Sequence, residues 1–254
     1  MSKPAVTLTE DDGVLVVVLD RPEAHNAINA EVAEALGRAM DLLDAREDLR
    51  VGVLTGAGGA FSAGMDLKAF LAGEQVVLDR GFAGMCTRPT AKPLLAAVEG
   101  WALAGGCEIA LACDIVVAAE DARFGLPETR RGLIAAAGGL LRLPRRITPG
   151  AAKLMALTGV PVAGVEAHRL GLVDVLVEPG TALERAVELA REIAANAPLA
   201  VVASKDLIDS AADRPVVDGF AHQAALADRI AASDDAREGA EAFVAKRDPA
   251  WTGR

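Results

Sequence analysis

Four short apolar runs constrain this chain more than any other feature: Val14–Leu19, Val51–Gly56, Leu94–Val98 and residues 114–118. The first is mostly β-branched and stops at Asp20-Arg21-Pro22, the pattern of a strand running into a turn. Between 30 and 43, Val32, Leu36, Met40 and Leu43 recur at three- and four-residue steps, the spacing of one helix face. Ala57-Gly58-Gly59-Ala60 reads as a flexible turn, 67–78 as a helix, and 105–112 as a second helix without a breaker. Short buried strands alternating with helices specify an α/β fold.

Beyond Gly138 helical periods dominate. One strand-like insert, 172–177, precedes a helix at 181–195, and 199–246 holds no convincing strand. We therefore expect a core over 1–196 and a helical region over 197–254, whose alanine-rich faces pack on the core or on a neighbouring subunit. With 254 residues, 52% of them apolar, the chain can bury one large core, and no low-complexity linker or repeated sequence divides it.

Several function classes are excluded. Twenty-six Lys and Arg against 36 Asp and Glu give a net charge of −10, which repels a phosphodiester backbone, and no dense basic run offsets it. Single basic residues remain able to meet one small anionic ligand. The three cysteines, Cys86, Cys107 and Cys113, are odd in number and lack metal-ligand spacing, so a reducing cytoplasm and no bound metal are expected. The start lacks a secretory pattern. The apolar stretch 94–119 is broken by Gly100, Gly105, Gly106, Glu108 and Asp114, which makes it core and not a membrane span.

Chemistry concentrates around two glutamates. Glu108 follows Ala104-Gly105-Gly106-Cys107 and lies among apolar neighbours, where an ionised carboxylate is expensive unless paired or used. Glu128 ends Phe124-Gly125-Leu126-Pro127-Glu128. The first N–H groups of a helix opening at Gly105 have no partner inside it and can hold an anionic oxygen, with a second donor from Ala63-Gly64-Met65-Asp66. Removing one donor of such an oxyanion hole costs on the order of 3 kcal/mol of barrier. Bland readings stand beside these: the glycines permit a tight turn, and Glu128 is an ordinary acid at a helix start. His25, His168 and His222 are isolated and form no catalytic triad by spacing.

Taken together, the segments resemble the crotonase, or enoyl-CoA hydratase/isomerase, family almost end to end. Leu19-Asp20-Arg21-Pro22-Glu23-Ala24-His25-Asn26-Ala27-Ile28-Asn29 is similar to its opening motif. Phe61-Ser62-Ala63-Gly64-Met65-Asp66-Leu67-Lys68 is similar to its first oxyanion and CoA loop, 104–114 and 124–128 to its two glutamate motifs, and Phe243-Val244-Ala245-Lys246-Arg247 to a C-terminal segment that reaches bound CoA, in some members from the adjacent subunit.

The resemblance implies a spiral of β-β-α units with a C-terminal helical region that builds a homotrimer, paired as a homohexamer. It implies that Met65 and Gly105 N–H groups hold the thioester oxygen while Glu108 and Glu128 flank the α,β double bond. Ala24, His25 and Ala63 match positions whose backbones meet the adenine; Asp66 and Leu67 belong to the CoA loop; Lys68, Phe243 and Lys246 match the phosphate and C-terminal contacts. No cofactor is permanently bound, coenzyme A entering as part of an acyl-CoA thioester. Both glutamates together imply hydration of a 2-enoyl-CoA, with double-bond isomerisation, a carnitinyl-CoA-type dehydratase, and a non-catalytic acyl-CoA-binding protein as rivals. Leu141-Arg142-Leu143-Pro144 leans toward the isomerase or carnitinyl-CoA-type dehydratase branch. Three departures stand out: Ala104 for a common third glycine, His25 for a common Leu, and the uncharged Ile134-Ala135-Ala136-Ala137 in a loop that abuts the acyl chain.

Overall fold

The computed structural model describes residues 3–254. β1 (Val6–Asp11) and β2 (Val14–Leu19) form an antiparallel hairpin, and after α1 (Ala30–Ala45) β3 (Val51–Gly56) pairs parallel to β2. A short α2 (Leu67–Leu71) and a small hairpin of β4 (Val77–Leu78) and β5 (Gly81–Phe82) follow. Two strand-strand-helix units come next. They are β6 (Leu94–Val98), β7 (Trp101–Leu103) and α3 (Gly105–Ala112), then β8 (Ile115–Ala119), β9 (Arg123–Gly125) and α4 (Gly139–Arg146). The remainder is α5 (Pro149–Thr158), β10 (Val162–Ala163), α6 (Gly164–Leu170), β11 (Val175–Val177), α7 (Ala182–Ala194), α8 (Pro198–Ala211), α9 (Val216–Ala231) and α10 (Asp234–Ala245). The main sheet runs β1-β2-β3-β6-β8-β11, parallel after its first pair, while β7, β9 and β10 make a second, small sheet.

The apolar runs lack alternation because the central strands are covered on both faces, as parallel strands generally are. On one face Val14, Val51, Val53, Leu95, Ala97 and Val117 meet the alanine stripe Ala182, Ala186, Ala190 and Ala194 of α7. Methyl side chains at four-residue steps let that helix approach the sheet closely. On the other face Leu15, Val17, Leu54, Ala96 and Val116 join Val32, Leu36, Met40 and Leu43 of α1 in the larger core. The loops after β2 and β3, and those leading from β6 and β8, all leave from C-terminal strand ends, where ligand sites of parallel sheets gather.

The expected helix over 67–78 is corrected to five residues. Asp66 starts it by accepting Lys68 and Ala69 N–H groups, but Gly73 adopts φ +74 just after its end, and Val77–Leu78 turns into the small hairpin. The strand at 172–177 shortens to Val175–Val177. Leu172 and Val173 are buried as core plugs before the strand, and Asp174 Oδ2 accepts the Val116 N–H at 2.7 Å. The hairpin partner β1 carries mostly exposed, polar residues and so gave no apolar run; its signal was the turn Asp12-Gly13, with φ +45 and +79. Among the described residues no helix is long and apolar enough to cross a membrane.

Candidate active site

Two buried polar side chains, Asn26 and Ser62, shape the loop after β3. Asn26 Oδ1 accepts the Arg21 N–H at 2.9 Å, and its Nδ2 donates to the carbonyls of Ala57 (2.9 Å) and Ala60 (2.6 Å). Ser62 Oγ donates to the Asn26 carbonyl at 2.8 Å and accepts the Gly64 N–H at 3.1 Å. Backbone bonds then stitch the loop to β7: Ser62 N–H to the Trp101 carbonyl at 2.8 Å, and Leu103 N–H to the Ser62 carbonyl at 3.0 Å. Gly64 is required here, since it takes φ +90 and an added Cβ would lie 2.7 Å from the Gly105 nitrogen.

This stitching brings two free donors together. Ile28 N–H donates to the Gly64 carbonyl and Asp66 N–H to the Ile28 carbonyl, each through a neighbour of Met65, whose own N–H has no acceptor among the described residues. Gly105 N–H, first in α3, likewise has none. Ala104 enters that helix at φ +50, ψ −128, a conformation favoured by glycine, with its N–H on the Gly125 carbonyl at 2.9 Å. Met65 and Gly105 line one cavity of about 590 Å³.

Glu108 and Glu128 open into the same cavity. Glu108 is 4% exposed, and its Oε1 accepts the Ala137 N–H at 2.7 Å and the Gly139 N–H at 2.9 Å. Burial pushes its pKa up to about 7, Glu128 adds to the rise, and the two N–H donors and Arg142 oppose it. Arg142 also holds the loop that supplies those donors, reaching the Ala137 carbonyl with Nη1 and the Cys86 carbonyl with Nη2. Glu128 stands on a 3₁₀ turn, Pro127–Arg131, half-buried, and its Oε2 is buried with no hydrogen-bond partner. Burial raises its pKa too, against its own backbone N–H and Arg131.

The other residues expected at the site divide. Ala63 and Leu67 line the cavity, as does Trp101, whose ring lies 4.9 Å from that of His25. His25 and Ala24 sit on the adjoining turn, with His25 at φ +50 and its carbonyl accepting the Ala63 N–H. Asp66 caps α2 and pairs with Arg21 Nη2 at 3.2 Å, so its carboxylate is engaged structurally. Lys68 is exposed on α2. Phe243 and Lys246 are exposed at the end of α10 and do not line this chain's cavity.

Residue-by-residue reading missed Asn26, Ser62, Phe82 and Arg131. Asn26 and Ser62 lay inside quoted motifs, but their importance is in hydrogen bonds to distant backbone, which one-dimensional spacing does not reveal. Cys86, Cys107 and Cys113 are buried, and burial raises all three thiols, those of Cys86 and Cys107 to about 12, which disfavours the thiolate.

The geometry thus combines two unpartnered backbone N–H groups, two carboxyls of raised pKa and a mainly apolar cavity. The model of the family described as enoyl-CoA hydratase/isomerase matches residues 9–254. Carnitinyl-CoA dehydratase of Salmonella typhimurium is 41% identical over 258 residues, covering 97% of this chain and 98% of that protein. Crystal structures of enoyl-CoA hydratases from Mycobacterium marinum (52% identity, TM-score 0.97) and Mycobacterium tuberculosis (51%, 0.97) each cover 99% of this chain and 100% of their own.

Proposed function

The chain belongs to the crotonase, or enoyl-CoA hydratase/isomerase, family, a lyase-type enzyme with that family's α/β fold, and on this premise we propose that it reversibly hydrates a 2-enoyl-CoA to a 3-hydroxyacyl-CoA. The observation that carries the reading is the presence of Glu108 and Glu128 in one cavity with the unpartnered N–H groups of Met65 and Gly105.

The chemistry follows from these groups. Two N–H donors on the thioester oxygen polarise the carbonyl, make the β-carbon electrophilic and stabilise the enolate formed as water adds. Glu108 receives two N–H groups on Oε1, which favours its anion and fixes its orientation, so it holds the water and takes its proton. Glu128, whose pKa is raised by burial, delivers the proton to the α-carbon. The two titrate as one coupled pair. Trp101, His25, Ala24, Ala63 and Leu67 mark the side where the CoA portion enters, with Lys68 near its phosphates. Phe243 and Lys246 would reach CoA only from a neighbouring copy in a trimer or hexamer.

A second reading is the reverse-direction one: dehydration of a carnitinyl-type thioester, favoured by the name of the 41%-identical Salmonella relative. The same carboxyls and donors serve both directions. Separating the products of a panel of 2-enoyl and 3-enoyl thioesters by liquid chromatography, with detection by mass spectrometry, tests the main reading. A product heavier by one water from the 2-enoyl substrates supports hydration, and a shifted double bond without mass change replaces it with isomerisation.

A further inference from the structure

Resting on the reading of this cavity as the acyl site, we infer that Arg131 is a specificity-determining residue, a charge filter that disfavours acyl groups ending in a cation relative to neutral or anionic ones. Apart from Glu108 and Glu128, Arg131 is the one charged residue in the described lining; its wall neighbours are Leu133, Ile134 and Ala136.

Arg131 makes no ion pair or hydrogen bond through its side chain among the described residues, whereas the adjacent Arg130 is committed to the Thr158 carbonyl at 2.9 Å. The turn that carries it is fixed: Leu133 N–H donates to the Glu128 carbonyl at 3.1 Å, and Gly132 closes the turn at φ +69. Its charge also reaches Glu128 and opposes the rise of that carboxyl's pKa. A trimethylammonium group, as on a carnitinyl thioester, finds no compensating site here. In the described lining the only carboxylates are Glu108 and Glu128, the pair proposed for proton transfer, and the only aromatic rings are Phe82 and Trp101, the latter tilted against His25. Selectivity then comes from a repulsive element as much as from an attractive one.

The test is calorimetric binding of three saturated acyl-CoA thioesters of equal length, ending in methyl, carboxylate and trimethylammonium, to wild type, Arg131→Gln and Arg131→Glu. Wild type should bind the ammonium-ended thioester about fivefold more weakly than the methyl-ended one, the discrimination an exposed charge supports. Arg131→Gln should level the difference, Arg131→Glu should reverse it, and added salt should shrink it. Equal wild-type affinity for the methyl and ammonium ends overturns the proposal. So does an equal loss for all three ligands in Arg131→Glu, which would place Arg131 on the CoA portion. Saturated ligands report binding without turnover, so the filter and the hydratase reading fail independently.

Discussion

Glu108 and Glu128 share one cavity under opposite hydrogen-bonding conditions: Glu108 Oε1 accepts two backbone N–H groups, while Glu128 Oε2 is buried with none. Burial raises both pKa values, that of Glu108 to about 7 in spite of its two N–H donors. In the proposed mechanism Glu108 holds the water and Glu128 supplies the proton.

In the proposed hydration the singly protonated pair is the active form. As the proposed base Glu108 has to be ionised, and with its pKa pushed up to about 7 it loses its proton as pH rises through that value. We expect kcat/KM to rise about tenfold per pH unit on the acid side of that value. A stopped or coupled assay from pH 5 to 9 checks this, and a flat profile would remove the shared-proton account.

The same raised pKa predicts a stability effect. Glu108 has a folded pKa of about 7 against the ordinary 4.5, so the folded state binds the proton more tightly. The associated stability is complete below about pH 4.5 and lost as pH rises through about 7, amounting to roughly 3 kcal/mol at most. Glu108→Gln is uncharged throughout and escapes that loss. Denaturant midpoints of the two proteins should diverge in the variant's favour between pH 5 and 8.

Asn26→Ala should be severe despite lying away from the proton-transfer groups. It leaves the Arg21 N–H and the Ala57 and Ala60 carbonyls without their partner in a buried place. The expected cost is about 3 kcal/mol or more, with kcat falling as the Met65 N–H loses its aim. Urea unfolding and kcat measured together check both parts.

Ala104→Gly should stabilise. Ala104 holds φ +50, ψ −128, where a Cβ is strained, and relief outweighs the greater freedom glycine has in the unfolded chain. A gain of about 1 kcal/mol with unchanged activity is expected from thermal or denaturant unfolding.

The strands β2, β3 and β6 were legible because burial on both faces leaves no polar alternation, and α1 because its core face keeps helical spacing. The three-residue strands β7 and β9 were not, being too short to show a period, yet they carry the chain into Gly105 and Glu128. At the site, Glu108 was conspicuous as a carboxylate among apolar residues. The Ala137 and Gly139 N–H groups that orient it were invisible, because backbone donors carry no residue-type signature. Glu128 was ambiguous beside two arginines until the fold half-buried it and left Oε2 without a partner.

The most direct test is hydration of crotonyl-CoA, followed by loss of enoyl absorbance, in wild type and Glu128→Gln with CoA affinity measured alongside. The account predicts measurable turnover in wild type, a loss of about a thousandfold or more in kcat for the variant, and nearly unchanged affinity. Tight CoA binding by a wild-type protein that consumes neither crotonyl-CoA nor longer enoyl thioesters would contradict it, as would a Glu128→Gln variant that turns over like the wild type.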